Sequence, residues 1–279
     1  MRPSASDVEK RAFPAAAWRI LADVVVYRVR KREMANLATS LTLAWALGAG
    51  SVALGVRLAF GVVLNLFVYL VNDCFDVAID LQAPGRDAGR TRFLADHIRA
   101  AWITVGLMAV GLCVFGALAR GGLLAAAAVN IVVIFAYSKV LKHIAILDLL
   151  AMGVWGVSMA MVGFDARDPR GWRLAGLLAF LSMVTESVQV LRDEPSDRAA
   201  GVRTSAVVLG VPATAWIARS LVCSAAAYAA VFIHPAGAVL AIGAVVALRP
   251  ERANRSWDQL RVLFGLTWLA LMALVRFAP

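Results

Sequence analysis

Long apolar runs constrain this chain more than any other feature: about nine of them, near 36–56, 58–76, 98–118, 122–138, 146–164, 173–191, 213–233, 236–248 and 259–277, the eighth being short. A run of roughly 20 apolar residues crosses a bilayer as a helix, because lipid offers backbone N–H and C=O groups no partner and a helix satisfies them internally. The composition agrees. At 61% hydrophobic residues and a mean hydropathy of +0.77, the chain exceeds the roughly 45–50% apolar content of a soluble domain. The expected fold class is all-α: a polytopic membrane helical bundle of about nine transmembrane helices around a central cavity.

The net charge of +10 suits either a nucleic-acid ligand or the basic cytoplasmic loops of a membrane protein, and position decides between them. With the N-terminus inside, 21 of the 28 Lys and Arg residues fall before the first run or after the even-numbered runs. Six fall on the other side, and Arg219 lies within the seventh run. The expected localisation is therefore integral to a bacterial-type cell membrane, N-terminus cytoplasmic, with the lipid bilayer as partner and no nucleic acid. Residues 1–35 form a basic leader lacking the order of a cleaved signal peptide, and Trp18 to Val29 can lie on anionic lipid as an amphipathic helix or stand as a plain solvated segment. Residues 36–279 form the intramembrane domain. Cys74, Cys113 and Cys223 read as small core residues rather than a disulfide framework.

The second run closes on Asn72-Asp73-Cys74-Phe75-Asp76-Val77-Ala78-Ile79-Asp80. At about 100° per residue, Asn72, Asp76 and Asp80 fall within an arc of roughly 80° on a helix. Carboxylates at a membrane helix end are costly, and clustering adds repulsion, so a cation belongs among them. The segment Leu81 to His97 then carries Pro84, Gly85 and Gly89 with Arg86, Arg90 and Arg92: a solvated turn, or a clamp whose guanidinium groups fork onto phosphate oxygens.

A second acidic cluster closes the sixth run at Arg192-Asp193-Glu194-Pro195-Ser196-Asp197-Arg198. Two even-numbered runs end on one side, so the clusters share a membrane face. Pro195 lacks a helix donor, and the expectation is a bend with Asp193 and Asp197 flanking it. Between the clusters, the fourth run ends in Tyr137-Ser138-Lys139-Val140-Leu141-Lys142-His143, whose lysines also suit plain border residues. Asp148 can pair with one of those lysines or cap a helix.

Hard dications such as Mg2+ take one or two carboxylates together with substrate phosphates and water. Asn72, Asp76 and Asp80 on one side and Asp193 and Asp197 opposite could hold two such ions bridged by a diphosphate, whose attached isoprenoid chain would lie among the apolar helices. Mg2+ and basic side chains would draw charge from the leaving diphosphate, and aromatic faces would stabilise the allylic cation.

In Asn72-Asp73-x-x-Asp76-x-x-x-Asp80, Tyr137-Ser138-x-x-Leu141-Lys142 and Asp193-x-x-x-Asp197-Arg198-x-x-Gly201-x-x-Thr204, in that order, the chain resembles the UbiA superfamily of intramembrane prenyltransferases. The resemblance implies Mg2+ ligands at Asn72, Asp76, Asp80, Asp193 and Asp197. It implies diphosphate contacts from Asn72, Arg86, Arg90, Lys142 and Arg198, with Asp76, Asp193 and Lys142 catalytic. Asp73 is expected to support the loop or a neighbouring arginine. The implied activity is Mg2+-dependent transfer of an isoprenyl group from a prenyl diphosphate to an acceptor, aromatic or otherwise lipophilic. The alternatives are a cyclase of the same superfamily acting without acceptor, and a cation transporter with an acidic pathway.

Overall fold

The computed structural model describes residues 5–31, 34–81, 88–244 and 252–277, with side chains described from Phe13 onward. Arg86, an expected diphosphate contact, lies outside the described residues. Among those described the structure is helical throughout: α1 (Ala5–Arg30), α2 (Ala35–Ala46), α3 (Ser51–Asp80), α4 (Ala88–Asp96), α5 (Ile98–Ala119), α6 (Leu123–Lys139), α7 (Leu147–Ala160), α8 (Pro169–Ala199), α9 (Ser205–Leu209), α10 (Val211–Phe232) and α11 (Ala253–Phe277). Short 3-10 turns cover Leu141–His143, Met161–Gly163 and Pro235–Leu240.

Among the described residues, six helices are long and apolar enough to cross a membrane: those starting at Ser51, Ile98, Leu123, Pro169, Val211 and Ala253. They correspond to six of the nine expected spans. Of the other three, those near 36–56 and 146–164 are shorter helices and the eighth runs into residues outside those described; the first shows why it is short. Its break falls at Gly48, where φ is +91°, a conformation that favours glycine, and not at residue 57, between the first two apolar runs. Arg57 instead lies inside α3, and its guanidinium donates to the Val162 carbonyl and, at 3.5 Å, to that of Gly121. A basic side chain that finds carbonyls at the end of the bundle can stay within a span.

Pro195 does not end α8, which runs on to Ala199. Asp193 and Asp197 therefore share one helix, four residues apart, instead of flanking a bend. At the other end of α8, Pro169 occupies the first turn, where a missing N–H costs nothing, and the Asp168 carboxylate accepts from Arg170 N at 2.9 Å.

Packed neighbours close a circuit from α3 through α6, α7, α8 and α11 to α2 and back to α3, with α5 against α3 and α6, and α10 against α8. Small residues permit the closest approaches. A Cβ on Gly156 of α7 would sit 2.3 Å from Ser182 Oγ and 2.7 Å from the Leu178 carbonyl of α8, so these backbones touch, as expected of helices held by packing rather than by exclusion of water. Buried Asn130 of α6 bridges to α7, donating to the Ser158 carbonyl at 2.8 Å while its own oxygen accepts from Ser158 Oγ at 2.9 Å. α1 does not stand apart as a solvated leader: it packs on α3, α4 and α5. Of the three cysteines only Cys74 is buried, and Cys223 is exposed.

Candidate active site

The acidic end of α3 meets α6 and the turn that follows it. Asn72 and Asp76 are one helical turn apart, so their side chains stack, and Asn72 Nδ2 donates to Asp76 Oδ2 at 3.0 Å. Ser138, near the end of α6, donates to Asn72 Oδ1 at 3.3 Å. α6 stops at Lys139, and the tighter 3-10 turn Leu141–His143 brings Lys142 Nζ onto Asp76 Oδ1. Both charges are largely withdrawn from solvent, with the Lys142 side chain 13% exposed and that of Asp76 22%. Two of the sequence motifs, 66 residues apart, thus form one contact set, and Asp80 lies a turn further along α3, half-buried.

The link from α3 to α8 runs through α6. Tyr137 Oη donates to Glu186 Oε1 at 3.0 Å, and Glu186 is 4% exposed on α8. Through Ser138 and Tyr137, adjacent residues near the end of α6, the acidic end of α3 is therefore linked to α8.

At the end of α8, Asp193 is held by its neighbour Arg192 through both guanidinium arms, at 2.7 and 2.8 Å, while that guanidinium also lies 5.3 Å from the Trp257 ring of α11. Asp197 accepts from Thr204 Oγ1 at 3.3 Å. Between them the chain turns at Gly201, φ +72°, the left-handed position that commonly terminates a helix. Arg198 pairs with Glu194 at 2.6 Å, and its side chain is 60% exposed.

Asp148 does not take a lysine. Fully buried, it accepts from Ser205 N at 2.7 Å, Ser205 Oγ at 2.5 Å and Leu149 N at 2.9 Å. Ser205 Oγ in turn accepts from Ile146 N at 2.7 Å. This network holds Ile146 at φ +71°, a conformation costing a β-branched residue roughly 1–3 kcal/mol. It also ties the segment after Lys142 to the segment after Asp197.

Residues 34–255 match the UbiA prenyltransferase family. The chain belongs to that family. Among its relatives, the C(50) beta-cyclic carotenoids biosynthesis protein LbtBC of Dietzia sp. (strain CQ4) is 31% identical over 257 residues, covering 82% of this chain and 58% of that protein. The lycopene elongase/hydratase of Haloferax volcanii is 32% identical over 194 residues, 68% of this chain and 64% of that protein. The digeranylgeranylglyceryl phosphate synthase of Ignicoccus hospitalis is 30% identical over 194 residues, 66% of this chain and 63% of that protein. The chain thus spans about three fifths of the length of these curated relatives. Among solved structures, a UbiA homolog from Archaeoglobus fulgidus bound to GPP and Mg2+ superposes with a TM-score of 0.63 at 15% identity, over 92% of this chain and 99% of that one. A digeranylgeranylglyceryl phosphate synthase structure gives 0.68 at 14% identity, over 92% and 98%. The fold is that of the UbiA homologues, and the protein is integral to the membrane.

Among the described residues of this UbiA family member, no three His, Cys, Asp or Glu side chains converge to cage a metal ion. What α3 offers is a carboxamide and a carboxylate side by side, and a cation already sits on the carboxylate, the ammonium of Lys142. Hard oxygen donors with few carboxylates are the donor chemistry of Mg2+, so the side chains of Asn72 and Asp76 fit that ion.

Two further positions were not among the expected site residues. Glu186 carried a legible signal: it lies seven residues before Asp193, two turns of one helix, on the stripe that continues to Asp197. Arg28 carried none, being one of several arginines in a basic leader. In the fold it reaches Asp73, which Arg90 also holds. The Asp73 expectation, support of a neighbouring arginine, is met twice over.

Proposed function

We propose that this protein transfers an isoprenyl group from a prenyl diphosphate to a lipophilic acceptor in a Mg2+-dependent reaction. The observation that carries the reading is the meeting of Ser138 and Lys142 with Asn72 and Asp76 at the acidic end of an otherwise apolar bundle. That arrangement suits a ligand with an anionic head and a hydrocarbon tail. Asn72, Asp76 and Asp80, with Asp193 and Asp197, would hold Mg2+, which when bound supplies charge to offset the leaving diphosphate.

Lys142 binds the diphosphate as a point charge, released from Asp76 as the headgroup arrives. Arg86, Arg90 and Arg198 supply further cationic contacts from the flanking segments. Arg198 leaves Glu194 to do so, and Arg90 contributes while keeping Nη2 on Asp73. Asn72 orients the diphosphate through its amide. Tyr137, held by Glu186, presents an aromatic face near the carbon–oxygen bond that breaks, where a developing cation is stabilised by a ring. The helices exclude water from that carbon.

The relatives described above are named for C50 carotenoids, lycopene and digeranylgeranylglyceryl phosphate, all isoprenoid lipids, and this supports an acceptor of the same class. The excess of Lys and Arg on one side supports a cytoplasmic N-terminus and a cytoplasmic site in a bacterial-type cell membrane.

The test is purified protein in detergent with labelled dimethylallyl, geranyl or geranylgeranyl diphosphate, with and without a linear polyene acceptor. The expected result is a prenylated acceptor that disappears with EDTA and returns with Mg2+. A cyclic hydrocarbon formed equally well without acceptor would assign the protein to the cyclases. Absence of Mg2+-dependent diphosphate consumption with every donor would sink the reading.

A further inference from the structure

The buried edge of α1 is an unbroken four-residue repeat, Ala16, Ile20, Val24 and Arg28. Three apolar side chains and a guanidinium share one stripe, and Arg28 is buried as the others are, at 8% exposure. Charge withdrawn so far from water needs a partner. It has one on α3: Arg28 Nη2 lies 2.5 Å from Asp73 Oδ1, and its guanidinium lies 4.2 Å over the Tyr69 ring. Arg90 of α4 takes the other carboxylate oxygen, with its guanidinium 4.2 Å over the Tyr27 ring of α1. Three helices are thus pinned through one carboxylate.

Asp73 follows Asn72 directly and precedes Asp76 by less than one turn. α3 cannot turn about its axis at Asp73 without carrying the other two. We propose that Arg28 is a positioning residue for the donor site: by fixing Asp73 from α1 and neutralising it together with Arg90, it sets the direction of Asn72 and Asp76 and keeps the Asp73 carboxylate from competing for their cations. α1 lies before the residues that match the family, which begin at 34. A segment outside that match is therefore a working part of the site. This inference rests on the reading of Asn72 and Asp76 as the donor site.

The charge argument supplies a readout that loss of packing would not. Arg28→Gln leaves Asp73 with less positive charge beside it, and the carboxylate then competes for Lys142 and for Mg2+. Asp73→Asn removes the competitor. In the full chain, with donor and Mg2+ titrated separately, Arg28→Gln raises both the KM for prenyl diphosphate and the half-saturating Mg2+ concentration by about 10-fold or more, while kcat at saturation changes by less than about 3-fold. The double variant Arg28→Gln/Asp73→Asn returns both quantities to within about 3-fold of the parent, because the interaction between two contacting residues is not additive. If Arg28→Gln does not fold, Arg28→Lys keeps the charge and loses the fork, and its KM rises by about 3-fold or more.

Unchanged KM and Mg2+ dependence in Arg28→Gln, or in Arg28→Lys where that is the measurable variant, would overturn the proposal while the parent enzyme remained active. A double variant as impaired as Arg28→Gln would do the same. A parent protein that consumes no prenyl diphosphate with Mg2+ would instead remove the donor-site reading, and this inference with it.

Discussion

Tyr137 on α6 donates its hydroxyl to Glu186 on α8 across 3.0 Å, and this bond joins α6 to α8 two turns before Asp193. Beside Tyr137, Ser138 reaches back to Asn72 on α3. Adjacent residues of α6 therefore face opposite partners, and α6 acts as the spacer that sets how far apart the two acidic groups sit. In the apolar interior a hydroxyl that loses its acceptor has no water to replace it.

Glu186→Ala is accordingly expected to cost about 1–3 kcal/mol, since it leaves the Tyr137 hydroxyl without its acceptor. Glu186→Gln keeps an oxygen acceptor and should stay within about 1 kcal/mol of the parent. Unfolding of the purified protein in detergent, read by tryptophan fluorescence or circular dichroism, checks both. Equal losses in the two variants would show that the carboxylate charge, and not its acceptor oxygen, is what matters there.

Asp76 and Asp193 lie on different helices, and each is already held by a cation, Lys142 in one case and Arg192 in the other. Replacing either with Ala should reduce turnover at least about 100-fold, equivalent to about 2.7 kcal/mol of barrier. Initial rates at matched protein level measure it. A near-normal rate in either variant would remove that aspartate from the donor site.

Asp148 satisfies two groups of Ser205, and Ser205 holds the backbone N–H of Ile146. Asp148→Ala should destabilise the fold by about 2 kcal/mol or more, because the buried N–H and hydroxyl lose their acceptor together. It should also release Ile146 from its left-handed conformation. Limited proteolysis is expected to cut between Lys142 and Leu147 in the variant at protease levels that leave the parent intact.

The contact of α7 with α8 at Gly156 leaves no space for a side chain, since the Leu178 backbone carbonyl cannot move aside as a flexible side chain could. Gly156→Val should cost roughly 1–3 kcal/mol through overpacking. Gly55 on α3 is the control: a Cβ there meets nothing within 4 Å, and Gly55→Ala should leave the melting temperature unchanged within a few degrees. A tolerated Gly156→Val would mean that the two helices sit further apart than described.

Much of the architecture was legible before any coordinates. Apolar run length located the six long helices, because each residue's preference for lipid adds along a segment whatever the segment packs against. Four-residue spacing put Asn72 above Asp76, since helix periodicity is also local. The failures arose where a local rule met a tertiary one. Glycine conformation at Gly48, not the gap between the apolar runs at residue 57, divided α2 from α3, and α8 continued through Pro195.

The sequence by itself determined that this chain is a helical membrane protein with acidic groups closing two of its apolar helices, because hydrophobicity and helical period are properties of segments taken one at a time. The tertiary structure alone decided the partners: Lys142 for Asp76, Glu186 for Tyr137, Ser205 for Asp148, and Arg28 for Asp73. Each joins residues 45 or more positions apart. Which of many polar side chains meet at such separations depends on how the helix faces pack, and no spacing rule within one segment carries that information.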